Sequence, residues 1–463
     1  MIVDRYKPVD MSAVFAGLHL QLEPELVQLD QLLDDDVLFQ AVKADLARRA
    51  PGSLTRGRHS TPVEVTVRML VAMRLFKWSY EQTVMFVSDS VSLRQFCRLY
   101  QQAGPHPTTL MRWAWLIGPR TLERLNDRAV MLACSRKVTR GRKLRIDGTV
   151  VQTNIHYPSD SSLLSDGVRV TSRLLRRAKA LIGDAAPVSR GLFRNRSRSA
   201  RKLARQIGDA GRRAGEAAKV TRRRSYIRLM EVAQASLRQA RQVQQALVAA
   251  PGAVARKLVT QIQAIVQPLE QVVRQTRRRV VDGEAVPAQE KLASIFEPHT
   301  AIIRRGKAGK ETEFGRRVWL DEVEGGIVSG YRVLTGSPPE QHQPALALEH
   351  HQKLFGRLPE LFTADRGVYS PDNERLAQEM GVRRVALPKP GAKTPERQRF
   401  EKQRWFRRAQ RFRAGVEGRI SVLCRGGSLA RCRAKGAEGF ERWVGWGILT
   451  ANLRTIARAM ASR

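Results

Sequence analysis

"KLRIDGTVVQTN", residues 143–154, alternates apolar and β-branched positions around one acid, Asp147. Period-two patterning predicts a strand over 143–153. Leu144, Ile146 and Val150 take one face; Asp147, Thr149 and Val151 take the other. The carboxylate therefore falls on the polar face, with Gly148 leaving room beside it. A second acid follows a second strand in "LPELFTADRGVYSPDNERLAQEMGVRRVALPKPG", residues 358–391. That stretch reads strand, loop, helix, strand, a parallel βαβ unit. It puts Asp365 at a strand's carboxyl end, where open α/β sheets carry functional groups.

Working outward, "RRVWLDEVEGGIVSGYRVLTG" (316–336) reads as two strands joined through Gly325-Gly326, and a helix follows at about 340–355. From about residue 395 the chain is helical and basic, with apolar periodicity in "FERWVGWGILTANLRTIARAM" (440–460). Residues 11–136 also read as helical. "TPVEVTVRMLVAMRLF" (61–76) opens on Thr61-Pro62-x-Glu64, a helix start. Two short helices in "SYEQTVMFVSDSVSLRQFCRLY" precede a turn with Gly104, Pro105 and Pro107, then a helix capped by Thr108 or Thr109. This order fits a helix-turn-helix, and a generic helical bundle fits it equally; Arg112, Arg94 and Arg98 favour DNA.

Residues 171–280 differ in character, with 26 Lys and Arg against 5 Asp and Glu, a net of +21. Their Ala, Arg, Gln and Leu content predicts an inserted helical hairpin or bundle, broken at Pro251-Gly252 and at Pro268. So few acids leave the arginines unpaired, which favours a phosphate-facing surface over a merely solvated one.

Composition sets the outer bounds. The chain has 463 residues and a formal charge of +39, and its pI is about 11.3. Such a field favours a polyanion, above all nucleic acid. No segment approaches a membrane span, and "MIVDRYKPVD" lacks an apolar leader core, so a cytoplasmic location is expected. The four cysteines form no C-x-x-C pair and read as reduced thiols. The fold class expected is mixed α/β. The expected division is an all-α, DNA-binding N-terminal domain (1–136), the first part of an α/β domain (140–170), a basic helical insertion (171–296) and the remainder of the α/β domain with C-terminal helices (297–463).

Three acids stay unexplained by helix-surface pairing: Asp147, Asp365 and Glu417, the last alone among arginines in "RFRAGVEGRIS". Carboxylates are hard ligands suited to Mg²⁺ or Mn²⁺. Three of them converging on one point can hold two ions about 3.5–4 Å apart for phosphoryl transfer. Taken singly, each acid reads rather as a surface or capping residue, since charged side chains are mostly exposed; the three together carry the metal reading.

The stretches "LRIDGTVVQTNIHYPSDSSLLSDGVR", "RRGKAGKETEFGRRVWL", "TADRGVYSP" and "WFRRAQRFRAGVEGRISVLCRGGSLARCRAKGAEGFERWVGWGILTANL" resemble a DDE transposase of bacterial insertion sequences, of an ISNCY-like group. The resemblance runs from about residue 60 onward and leaves the basic insertion poorly covered. It implies an RNase H-like catalytic domain, with the helices inserted after its first strand. It also implies a metal triad of Asp147, Asp365 and Glu417, spaced 218 and 52 residues apart. The family's arginine matches Arg413; Gln410 replaces its tyrosine and Cys424 its lysine, with Arg425 adjacent. Arg413, Arg419, Arg425 and Arg112 are then expected on phosphates. Glu438 and Glu441 are alternatives to Glu417. The implied partners are double-stranded DNA, both terminal inverted repeats and target, with a homodimer on DNA. A non-catalytic domesticated DNA-binding protein and a stand-alone nuclease stay open as alternatives.

Overall fold

The computed structural model describes residues 1–11, 22–48, 50–182, 192–304, 312–336, 338–426 and 429–463. The chain divides into two compact units: Met1–Gln152 together with Arg316–Arg463, and Thr153–Gly315. These limits differ from the expected 136, 170 and 296. The N-terminal helices share a core with the sheet, and the helix that opens at Asp160 packs on the insertion's helices. Part of "RRGKAGKETEFGRRVWL", residues 305–311, lies outside the described residues.

The first unit opens with helices α1 (Pro24–Leu32), α2 (Asp36–Ala47), α3 (Val63–Phe76), α4 (Tyr80–Asp89), α5 (Val91–Phe96), α6 (Pro107–Leu116) and α7 (Pro119–Ser135). Helix α3 is buried on nearly all sides, which requires its Arg68 to be neutralised there. Glu64, Asp30 and Asp34 meet that guanidinium at 3.0, 2.6 and 2.6 Å. Helix α6 is capped by His106, whose Nδ1 accepts from the Thr108 amide. The expected threonine cap is thus replaced, because Pro107 already occupies the first helical turn.

Strand β1 (Lys143–Thr153) leads into the second unit, which holds α8 (Asp160–Ile182), α9 (Ser197–Gly211), α10 (Glu216–Val248), α11 (Ala253–Val280) and β2 (Ala301–Arg304). The four helices close one apolar core, mostly Leu, Ile, Val and Ala with Tyr226 and Met230. Pro251-Gly252 does separate α10 from α11. Pro268 does not break α11, because Ile265, Val266, Leu269 and Val272 around it are buried in that core. Packing outweighs the hydrogen bond a mid-helix proline removes.

Strand β3 (Thr312–Val323) pairs antiparallel with β2 through residues 312–315 and with β4 (Ile327–Val333) through 318–323. The β3–β4 turn runs through Gly325 and Gly326, both at positive φ. Then come α12 (Gln343–Phe355), β5 (Leu361–Ala364), α13 (Pro371–Glu379), β6 (Arg384–Ala386), α14 (Pro395–Lys402), α15 (Arg404–Arg425), β7 (Arg431–Cys432) and α16 (Ala437–Ala461). The sheet is mixed. Within the first unit its order is β4-β3-β1-β5-β6, with β7 on β1, and β1, β5 and β6 run parallel. Being central, β1 is covered on both faces; Arg145, Thr149 and Val151 are as buried as Leu144 and Ile146. The polar face expected for this strand is therefore mostly interior. No helix among the described residues is long and apolar enough to cross a membrane.

Candidate active site

Strand register builds the site. Ile146 pairs with Ala364 across the parallel β1–β5 ladder, so the next residues, Asp147 and Asp365, emerge side by side on neighbouring strands, which run about 4.8 Å apart. Beyond Ala364 the chain leaves the sheet. Asp365 caps the short turn Arg366–Val368, accepting from the Arg366 amide at 2.7 Å. Asp147 accepts from the Gly148 amide at 2.7 Å.

The two carboxylates differ in exposure. Asp147 is half-buried, whereas the Asp365 side chain is 52% exposed. Burial pushes the Asp147 carboxyl from 3.8 up to about 6, and the charges of Asp365 and Glu340 push the same way. The Gly148 amide and Arg413 oppose the rise. Arg413 reaches in from α15, its Nη1 3.8 Å from Asp365 Oδ1, and its buried Nε has no hydrogen-bond partner.

Two contacts absent from the sequence reading hold α15 in place. Arg145 of β1 forms a two-pronged pair with Glu322 of β3 at 2.8 and 2.6 Å, and donates to the Phe412 carbonyl of α15. Gly415 leaves room for that guanidinium, since a Cβ there would lie 2.5 Å from Arg145 Nη1. Gln410 donates to Thr363 Oγ1 and the Ala386 carbonyl at 3.2 and 2.9 Å, tying α15 to the ends of β5 and β6. The glutamine found where a tyrosine was expected therefore has a positioning role. A charged pair inside strand sequences, Arg145 and Glu322, was the available signal.

Glu417 lies one turn beyond Arg413 on the same helix, exposed and with no ion pair among the described residues. The structure does not bring it into contact with either aspartate. Among the described residues no three His, Cys, Asp or Glu side chains are grouped so as to hold a metal ion. The alternatives are engaged elsewhere, Glu438 with Arg442 at 3.1 Å and Glu441 with Arg316 at 2.9 Å.

The arginines divide by role. Arg419, expected on phosphate, turns inward, 3.5 Å from Glu322 and 3.2 Å from Thr455 Oγ1. Burial lowers its affinity for a proton despite Glu322. Arg94 donates to the carbonyls of Tyr100, Ser88 and Gln102, and Arg98 pairs with Asp30 and Asp34. Carboxylates and carbonyls of the same helical region therefore engage donors of both guanidiniums. Arg112 and Arg425 are exposed, while Cys424 is half-buried. None of the four cysteines, all among the described residues, forms a disulfide.

Asp147 and Asp365 suit a hard divalent ion, since Mg²⁺ is usually held by one or two carboxylates with water and phosphate oxygens completing the shell.

Residues 19–114 match a family model described as Transposase domain (DUF772). The match spans α1 to α5 and most of α6, about a fifth of the chain. It supports a transposase family for this chain. No curated protein and no solved structure matches it.

Proposed function

We propose that this chain is a DNA transposase of the DDE type, with an RNase H-like catalytic domain whose centre is Asp147 and Asp365. The observation carrying the reading is the Ile146–Ala364 register, which puts two carboxylates side by side at a strand end. The transposase-domain match and the +39 charge agree with it.

Asp147 and Asp365 would hold one or two Mg²⁺ or Mn²⁺ ions; Glu417, expected as a third carboxylate, is exposed on α15 one turn beyond Arg413 and would join them only by a movement of that helix or of its side chain. Such an ion, when bound, polarises the scissile phosphate and lowers the pKa of the attacking oxygen. Arg413 serves as a phosphate clamp, because its guanidinium borders Asp365 with an unused buried Nε. Arg366, next to Asp365, lines the same edge. The reaction is two successive phosphoryl transfers. Water breaks a phosphodiester at each element end, freeing a 3′-OH. That hydroxyl then attacks a target phosphodiester, forming one P–O bond as another breaks. Positioning and charge supply most of the acceleration. Joining two ends calls for a homodimer on DNA. The exposed arginines of α9 to α11, with Arg112 and Arg425, would carry the duplex by its phosphates.

The test uses labelled duplex carrying the parent element's ends, with Mg²⁺ or with chelator. Mg²⁺-dependent nicking and joining are expected, and Asp147→Asn or Asp365→Asn should lower both at least about a thousandfold while duplex binding persists. Nicking without joining would favour a stand-alone nuclease. Binding with no Mg²⁺-dependent chemistry would favour a non-catalytic DNA-binding protein.

A further inference from the structure

The second unit holds a cavity of its own, of about 430 Å³, within the roughly 300–1,000 Å³ of small-molecule sites. One wall is a face of α8, where Ser162, Asp166 and Arg169 recur at helical spacing with Ser165 beside them. A second wall is α9, on which Arg201 and Arg205 stand one turn apart and the small Ala204 keeps the hollow open between them. His156 and Phe296 complete the lining. The apolar sides of the same two helices, Leu163 and Leu164 on α8 with Ala200 and Ile207 on α9, are buried in the unit's core. Core packing therefore fixes which side chains face the cavity.

The charges in this lining do not balance. Arg169 pairs with Asp166 at 2.8 Å, and His156 Nε2 lies 3.6 Å from the same carboxylate. Asp209, the one acid of α9, pairs instead with Arg212, and among the described residues no carboxylate is in ion-pair contact with Arg201 or Arg205. Three guanidiniums against one carboxylate leave two positive charges on the hollow. A backbone phosphodiester carries one negative charge, whereas a phosphomonoester carries about −1.5 to −2 at neutral pH. The lining matches the monoester, and a hollow of this size admits one nucleotide, not a duplex. Phe296 is 46% exposed, with the Arg169 guanidinium 5.7 Å from its ring centroid. A bare aromatic face beside guanidiniums is a platform on which a base stacks.

We propose that this cavity binds a nucleotide through its phosphomonoester, with Arg201 and Arg205 on the phosphate and the base on Phe296. Arg169, held by Asp166, keeps further donors for the same phosphate, and Ser165 adds a hydroxyl. Two sources share this chemistry, a free nucleotide and the 5′-phosphate end of a DNA strand. Strand ends of that kind follow from the proposed hydrolysis. Water adds its oxygen to phosphorus as the P–O3′ bond breaks, so one fragment leaves with a 3′-OH and the other keeps a 5′-phosphate. Only this second source rests on the transposase reading.

The experiment is isothermal titration calorimetry of the full-length protein with dAMP, deoxyadenosine and inorganic phosphate at fixed ionic strength. Wild type is compared with Arg201→Gln/Arg205→Gln, Phe296→Ala and Arg176→Gln/Lys179→Gln, each shown folded by circular dichroism. The last variant removes the same charge about two turns beyond Arg169 on α8, outside the cavity. Wild type should bind dAMP at least about tenfold tighter than deoxyadenosine. Arg201→Gln/Arg205→Gln should weaken dAMP at least about tenfold, and Arg176→Gln/Lys179→Gln should stay within about twofold. Phe296→Ala should weaken dAMP about fivefold or more and leave inorganic phosphate unchanged. Competition against dAMP by tetrathymidylate with and without a 5′-phosphate separates the sources. Strong displacement by the phosphorylated strand alone identifies strand ends, and dAMP binding tighter than either strand identifies a free nucleotide. If dAMP and deoxyadenosine bind alike, or both double variants weaken dAMP equally, the cavity does not select a phosphomonoester and the proposal is overturned. If Phe296→Ala leaves dAMP unchanged, the nucleotide assignment is refuted. Loss of Mg²⁺-dependent chemistry with dAMP binding intact would remove the transposase reading and leave this site standing.

Discussion

At the residue scale, the Asp147 carboxyl is held at about 6 against an ordinary 3.8, chiefly by burial. Because its folded pKa is raised, the native state binds the extra proton between about pH 4 and 6 and must surrender it above that window. The charged carboxylate thus costs stability at neutral pH, up to about 3 kcal/mol, and costs nothing below about pH 4. Asp147→Asn, with chelator present, should be more stable than wild type to urea at about pH 7.5, and the two should converge near pH 4. An advantage of equal size at both pH values would show that burial of the charge is not its source. Arg419 illustrates what a single residue type leaves open. Its neighbourhood in sequence is basic, yet it faces Glu322, 97 positions away. An arginine's partner is set by tertiary contact, so counting nearby acids separates phosphate-facing arginines from interior ones poorly.

Elements are more legible, because their signals are local. The alternation in 143–153, the Gly325-Gly326 turn and the strand–helix–strand run around Asp365 all rest on neighbours within a few residues. Pro268 and the burial of β1 escape a local reading for one reason: each depends on what packs against the element. Gly167 offers a test at this scale. It lies in α8 against Leu269 of α11, and a Cβ there would collide with Leu269 Cδ1. Leu269 is fully buried and cannot swing away. Gly167→Val should therefore cost about 1–3 kcal/mol despite the better helix propensity of valine, read from urea unfolding. A neutral or stabilising result would show that the α8–α11 packing can open to admit the larger side chain.

At the scale of the whole molecule, charge is the dominant fact, and more than half of the net +39 falls within residues 171–280. Arg222, Arg224 and Arg228 are exposed along α10. Replacing all three by Gln should reduce the slope of log affinity against log salt by about 0.9 for each phosphate that is no longer neutralised. An unchanged slope in duplex-binding measurements would assign DNA binding to other surfaces. By itself the sequence determined the mixed α/β class, the helical character of the insertion, the basic charge and the place of Asp365 at a strand end, since these follow from composition and short-range periodicity. Tertiary structure alone decided that Asp147 stands beside Asp365, because that depends on the register of strands 218 residues apart. It also decided that Arg145 and Glu322 lock α15 to the sheet and that Glu417 faces solvent. Coulomb energy and hydrogen bonding act on distance in space, and in this chain the groups they join are tens to hundreds of residues apart.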